Sequence, residues 1–267
     1  MTESAKGVMQ LLRQGARKAN DFLERSAGMR LVRTDLDPPE LVGMEAPARA
    51  AVRKAAGRTM TDPLQQYAAY SAARYVCQSS VPGDIVECGV WRGGAAMLGM
   101  MDEGQTDRTV WLYDTFEGMT APGDRDAFLA TGLSARQLLA ETSRTGDKES
   151  DWTYWCVADE GDVRAGVLAS GYPSDHVRLV RGPVETTLST SAPSQVAIAR
   201  LDNDWYESMG VELEVLFPRI SPGGVLIIDD YDDWAGAREA VDEYFTSVRL
   251  SPLLVRAGFG RVFVKHH

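Results

Sequence analysis

The sequence predicts an α/β fold: a doubly wound, seven-stranded and mostly parallel sheet with helices on both faces and an antiparallel hairpin at its C-terminal end. Three observations predict it. Short β-rich runs at residues 84–90, 109–113, 177–180, 196–201 and 225–228 alternate with helical stretches, as a parallel sheet with crossover connections requires. The first run leads through Gly89 into a glycine turn and a helical stretch. Asp202, Asp204, Asp229 and Asp230 follow the ends of two apolar runs, at the edge where open α/β sheets bind their ligands.

Along the chain, residues 1–58 are rich in charge and alanine, with Val8, Leu11, Leu12, Phe22 and Leu23 at near-helical spacing. They read as accessory helices, an extension or lid ahead of a main domain at 59–267. The prolines between residues 30 and 47 mark a loop. Thr61 or Asp62 can cap the next helix, with Pro63 in its first turn and Leu64, Tyr67, Ala68, Ser71, Ala72, Tyr75 and Val76 forming one face. Residues 114–175 read as a long insertion with a polar segment at 141–151, a loop of a length that usually serves a function or stays disordered. At the C-terminal end, residues 253–264 contain two short strands around a glycine turn, which completes the count of seven.

Composition narrows the function classes. The chain of 267 residues has 44 % hydrophobic and 25 % charged residues, and no apolar run approaches the roughly 18 residues of a membrane span. A net charge of -10 opposes binding to nucleic acid or to an anionic membrane. Cys77, Cys88 and Cys156 show neither a disulfide framework nor the spacing of a thiolate zinc site. With no signal-peptide pattern at the N-terminus, a cytoplasmic location is expected.

The glycine turn carries the cofactor reading. A dinucleotide fingerprint needs GxGxxG so that a pyrophosphate can approach the backbone, whereas here the order is GxxxGG and Trp91 stands at the second glycine position. A diphosphate is disfavoured, and with it a nicotinamide-dependent reductase. Glu87, at the end of the first strand, suits an ammonium group, and Asp114, about 25 residues beyond Gly89, is near the spacing of a ribose-binding acid. Singly, either acid can serve only as a helix cap. Together they point to ribose plus amino acid without phosphate, which is S-adenosylmethionine. The four aspartates repel one another, so either water solvates them separately or a hard divalent cation ties them together.

Several ordered motifs resemble the macrocin O-methyltransferase family, the TylF-like enzymes that methylate deoxysugar hydroxyls of macrolide and aminocoumarin antibiotics. They are residues 59–61, 83–94, 113–119, 171–173, 201–208 (LDNDWYES) and 223–231, with Asn203 a mild departure from the usual LDGD. The resemblance implies a Rossmann-like class I methyltransferase fold and a small-molecule glycosylated acceptor. It implies magnesium ligation by Asp202, Asp229 and Asp230, with Asp204 as general base. It further implies cofactor contacts at Glu87, Gly89, Val90, Trp91, Gly93 and Asp114, and a homo-oligomer. A catechol-type O-methyltransferase acting on a planar vicinal diol is the alternative. Trp205, Tyr231 and Trp234 border the aspartates and are candidates for a glycoside-binding wall. Arg92 and Arg181 are expected in salt bridges.

Overall fold

A computed structural model describes residues 41–94, 107–145 and 155–266. The expected helices at 1–40, the helical stretch expected at 95–98 and part of the polar segment at 141–151 lie outside these residues. The chain forms two compact units, residues 1–43 and 44–267. Residues 44–58, which the sequence reading groups with the extension, fall in the larger unit.

Seven strands form one sheet: β1 (Asp84–Cys88), β2 (Val110–Asp114), β3 (Val177–Arg181), β4 (Val196–Leu201), β5 (Ile220–Ile228), β6 (Val255–Ala257) and β7 (Gly260–Val264), in the order β3-β2-β1-β4-β5-β7-β6. The first five are parallel, and β7 pairs antiparallel with both β5 and β6. This is the predicted sheet, and its direction of strand order reverses beside β1, where a doubly wound sheet opens a crevice. Every residue of β4 is buried, as a central parallel strand demands.

Described helices flank the sheet: α1 (Ala46–Ala55), α2 (Pro63–Gln78), α3 (Ala135–Thr145), α4 (Glu160–Ser170), α5 (Val184–Ser191), α6 (Tyr206–Leu216) and α7 (Ala235–Ser247). The core gathers Met209, Leu213 and Leu216 of α6, Val241 and Phe245 of α7, and the inward side chains of β4 and β5.

Three expectations change. Asp62 does cap α2, accepting from the backbone N–H groups of Leu64 and Gln65 at 2.7 and 2.9 Å, but the buried face is Gln65, Gln66, Ala69, Tyr70, Ala72, Ala73 and Val76, and Leu64 is exposed. The two glutamines turn inward because their amides have partners: Gln65 donates to the Asp229 carbonyl at 3.4 Å and Gln66 to the Thr61 carbonyl at 2.7 Å. Gln65 is satisfied at both ends, since its oxygen also accepts from the Asp62 N–H, which offsets the desolvation that keeps glutamine outside; Gln66 is satisfied only at its nitrogen, and its oxygen is buried without a partner. Second, residues 114–175 are not one loop, since α3 and α4 both lie within them. Glycines at 161 and 166 obscured α4, which Asp159 caps and Gly171 ends in the left-handed region. Third, β5 begins at Ile220, because Gly223 and Gly224 are held to Lys265 by backbone hydrogen bonds despite the apparent breakers.

Candidate active site

The carboxyl ends of β1, β2, β4 and β5 open into one cavity of about 1140 Å³. At its floor the glycine turn is dictated by sterics. Gly89 has φ +77°, and a Cβ there would sit 1.8 Å from the Asp202 carbonyl oxygen, so only glycine lets β1 and β4 end this close together. Trp91 follows in the left-handed region at φ 45°. Asp114, at the end of β2, fastens this turn: its Oδ2 accepts from the backbone N–H groups of Val90 at 2.8 Å and Trp91 at 3.0 Å, while Oδ1 accepts from Phe116 at 2.8 Å. It holds the turn at the cavity edge, with the Thr115 hydroxyl also 3.5 Å from Oδ1. Gly93, also in the left-handed region at φ +81°, ends the turn against Val163 of α4.

Glu87 is buried on the floor, and Arg200 Nη1 donates to its Oε1 at 2.8 Å. Burial, only partly offset by Arg200, pushes its carboxyl up to about 7. The same guanidinium reaches Asp202 Oδ2 at 2.6 Å and Asp229 Oδ2 at 2.9 Å.

β5 stops at Ile228, so the backbone bends at Asp229 and Asp230 and lets consecutive side chains face one region. Asp202, Asp229 and Asp230 each offer an oxygen, and these oxygens lie within 4.8 Å of one another. That is near the roughly 3 to 4 Å separations of ligands held about 2.0–2.1 Å from an octahedral ion. Asp229 Oδ1 and Asp230 Oδ2 are buried without a hydrogen-bond partner. Burial raises all three carboxyls above their usual range, and neighbouring carboxylates raise them further. Crowded, desolvated carboxylates with orphaned oxygens fit a hard divalent cation, which would replace their protons.

Asp204 is half-buried beside them, and burial pushes its carboxyl up to about 7. Asn203, between the two aspartates, points elsewhere: its amide donates to Glu212 of α6, which is fully buried. Trp205 and Trp234 form a buried apolar wall with ring centroids 5.1 Å apart and edge to face, with Phe128 5.5 Å from Trp234. The Trp205 indole N–H donates to the Thr120 carbonyl at 3.1 Å. Tyr231 instead lies between Arg238 and Arg261, with centroid distances of 5.1 and 4.8 Å. Cys156 also lines the cavity. Arg92 pairs with Asp162 at 2.7 Å, and Arg181 with Glu117 and Glu160 at 3.2 and 3.4 Å, as expected of surface arginines.

Sequence reasoning missed Arg200 and Glu212. A signal existed for the first, a lone cation in the apolar run of residues 196–201. Glu212, with Glu214 and the exposed Glu207 on the same helix, carried no such mark.

A family model described as Macrocin-O-methyltransferase (TylF) matches residues 42–257. The 8-demethyl-8-(2,3-dimethoxy-alpha-L-rhamnosyl)-tetracenomycin-C 4'-O-methyltransferase of Streptomyces olivaceus is 33% identical over 237 residues, covering 85% of this chain and 80% of its own. Mycinamicin III 3''-O-methyltransferase of Micromonospora griseorubida is 36% identical over 173 residues, 62% of each chain. Among solved structures, the O-methyltransferase NovP is similar at a TM-score of 0.66 and 29% identity, over 79% of this chain and 83% of that one. The fold is that of Rossmann-like class I O-methyltransferases.

Proposed function

Because this chain belongs to the macrocin O-methyltransferase family and is an O-methyltransferase, we propose that it methylates a hydroxyl of a deoxysugar on a glycosylated natural product, using S-adenosylmethionine and magnesium. The sugar reading is supported by the Streptomyces olivaceus relative, named for a rhamnosyl-bearing tetracenomycin and a 4'-O position. The observation that carries the metal reading is the convergence of Asp202, Asp229 and Asp230, with orphaned oxygens on the last two.

In this mechanism Glu87, the turn from Gly89 through Val90 and Trp91 to Gly93, and Asp114 bind the methyl donor at the cavity floor. Asp202, Asp229 and Asp230 hold the cation. When bound, magnesium supplies positive charge that orients two vicinal hydroxyls and favours loss of a proton from one of them. Asp204 takes that proton as the hydroxyl oxygen becomes nucleophilic, and a carboxyl near 7 is matched to that task at neutral pH. Trp205, Trp234 and Phe128 exclude water from one side of the reacting oxygen.

The test is methyl transfer from labelled S-adenosylmethionine to a panel of deoxysugar glycosides and catechols, with magnesium chloride or with EDTA. Label should enter glycosides, and EDTA should abolish transfer until magnesium is restored. Transfer undiminished by EDTA would overturn the metal reading, and transfer to catechols alone would overturn the sugar.

A further inference from the structure

Arg200 is a charged side chain in the middle of the sheet, 5% exposed. The register puts it opposite Glu87 on β1 and Ile227 on β5, between the strands that deliver the cofactor-side acid and the cation-side acids. Its guanidinium reaches carboxylates from three segments: Glu87 Oε1 at 2.8 Å, Asp202 Oδ2 at 2.6 Å and Asp229 Oδ2 at 2.9 Å. For each aspartate it occupies one oxygen. The second oxygen of Asp229 is left buried and unpartnered, as is Asp230 Oδ2.

We infer that Arg200 is a positioning residue: it turns one oxygen of Asp202 and one of Asp229 toward a shared cation, and links that cation site to the cofactor end of the cavity through Glu87. The inference rests on the metal reading above. Three carboxylates this close, drawn out of water, would repel one another and rotate apart without a counter-charge. A planar guanidinium in a fixed fork hydrogen-bonds Glu87 and Asp202 through Nη1 and sets Nη2 beside Asp229 Oδ2 as a charge contact without hydrogen-bond geometry, a three-way reach that the compact ammonium of lysine cannot match. Because Asp202 and Asp229 share their charge between Arg200 and any cation, a bound cation changes what Arg200 offers Glu87. Occupancy of one site thereby alters affinity at the other, and by linkage the effect is reciprocal.

The experiment measures Mn²⁺ binding by electron paramagnetic resonance, and S-adenosylhomocysteine binding by calorimetry with and without Mn²⁺, in the wild type, Arg200→Lys and Glu87→Gln. Circular dichroism checks that each variant is folded. The wild type should bind Mn²⁺ and show S-adenosylhomocysteine affinity that changes with it. Arg200→Lys should bind Mn²⁺ about 10- to 100-fold more weakly, as loss of an outer partner of a metal ligand does, and the dependence of S-adenosylhomocysteine affinity on Mn²⁺ should vanish. Glu87→Gln removes a cofactor-side acid as well as the link, so its S-adenosylhomocysteine affinity should fall at every Mn²⁺ concentration; it should keep Mn²⁺ affinity within a few fold, and the weaker S-adenosylhomocysteine binding should no longer change with Mn²⁺, which carries the test if the lysine variant does not fold. A folded Arg200→Lys with wild-type Mn²⁺ affinity, or a dependence that survives in Glu87→Gln, overturns the inference while leaving the metal reading intact. A wild type that binds no Mn²⁺ overturns both.

Discussion

Asp204 is asked to be a base while burial, and after it the charge of Asp229, keep it protonated longer than an exposed aspartate. A hydrogen bond with Asp230 draws its carboxyl back down, and a value of about 7 leaves a substantial unprotonated fraction at neutral pH. Asp204→Asn should lower kcat by about 10²- to 10⁴-fold. Its affinity for S-adenosylhomocysteine, measured by calorimetry, should stay near that of the wild type, and a variant with undiminished kcat would remove Asp204 from the mechanism. Glu212 makes a separate demand. Burial raises its carboxyl well above 4.5, so it enters the fold neutral. A raised carboxyl leaves stability intact below the unfolded value near 4.5, and stability falls as pH climbs from there toward the folded value. Urea denaturation should therefore show Glu212→Gln gaining stability over the wild type at pH 8 relative to pH 5, by about 1–3 kcal/mol. An equal difference at both pH values would mean that Glu212 is charged in the fold. The aspartates were legible in sequence because each follows an apolar run and the i, i+2 spacing of Asp202 and Asp204 is local. The partnerships of Arg200 with Glu87 and of Asn203 with Glu212 span strands and a helix, and only the assembled sheet reveals them.

At the level of elements, the glycine turn sets the distance between two strand ends. Gly89→Ala would drive a methyl group into the Asp202 carbonyl and require φ near +77° from a residue that avoids it. Relief requires β1 and β4 to separate, which displaces Asp202 and the turn that Asp114 fastens. The variant should lose more than about 1 kcal/mol of stability and most of its affinity for S-adenosylhomocysteine. A thermal melt and a calorimetric titration check the two losses, and wild-type values for both would show that the turn relaxes freely. Strand alternation, the cap at Asp62 and the C-terminal hairpin were readable because each has local chemistry: β-rich runs, an acid before proline, and glycine between two short strands. The buried face of α2 was not, since hydrogen bonds to the Asp229 and Thr61 carbonyls drew glutamines inward against their usual preference.

Across the whole molecule, acidity and the site are connected. A chain with net charge -10 concentrates several of its carboxylates at one edge of its sheet, where they are held against mutual repulsion by a single buried guanidinium. Saturating magnesium should raise the thermal midpoint, because a ligand at about 100 times its Kd stabilises by about 2.7 kcal/mol. For a domain of this size that is several degrees in a melt followed by circular dichroism, at about 2–4 °C per kcal/mol. Asp229→Asn should abolish the rise, and a magnesium shift of wild-type size in that variant would place the ion elsewhere.

The sulfur at Cys156 offers a practical outcome. Cys88 is sealed in the core, Cys77 sits near the C-terminal end of α2, away from the cavity that Gln65 of the same helix lines, and Cys156 alone of the three lies on the cavity wall. Burial suppresses formation of its thiolate, so a maleimide should modify it slowly and only in alkaline buffer. The rate of that modification becomes a footprint of occupancy: whatever fills the chamber shields the sulfur, and a timed quench read by mass spectrometry can rank ligands without any turnover at all.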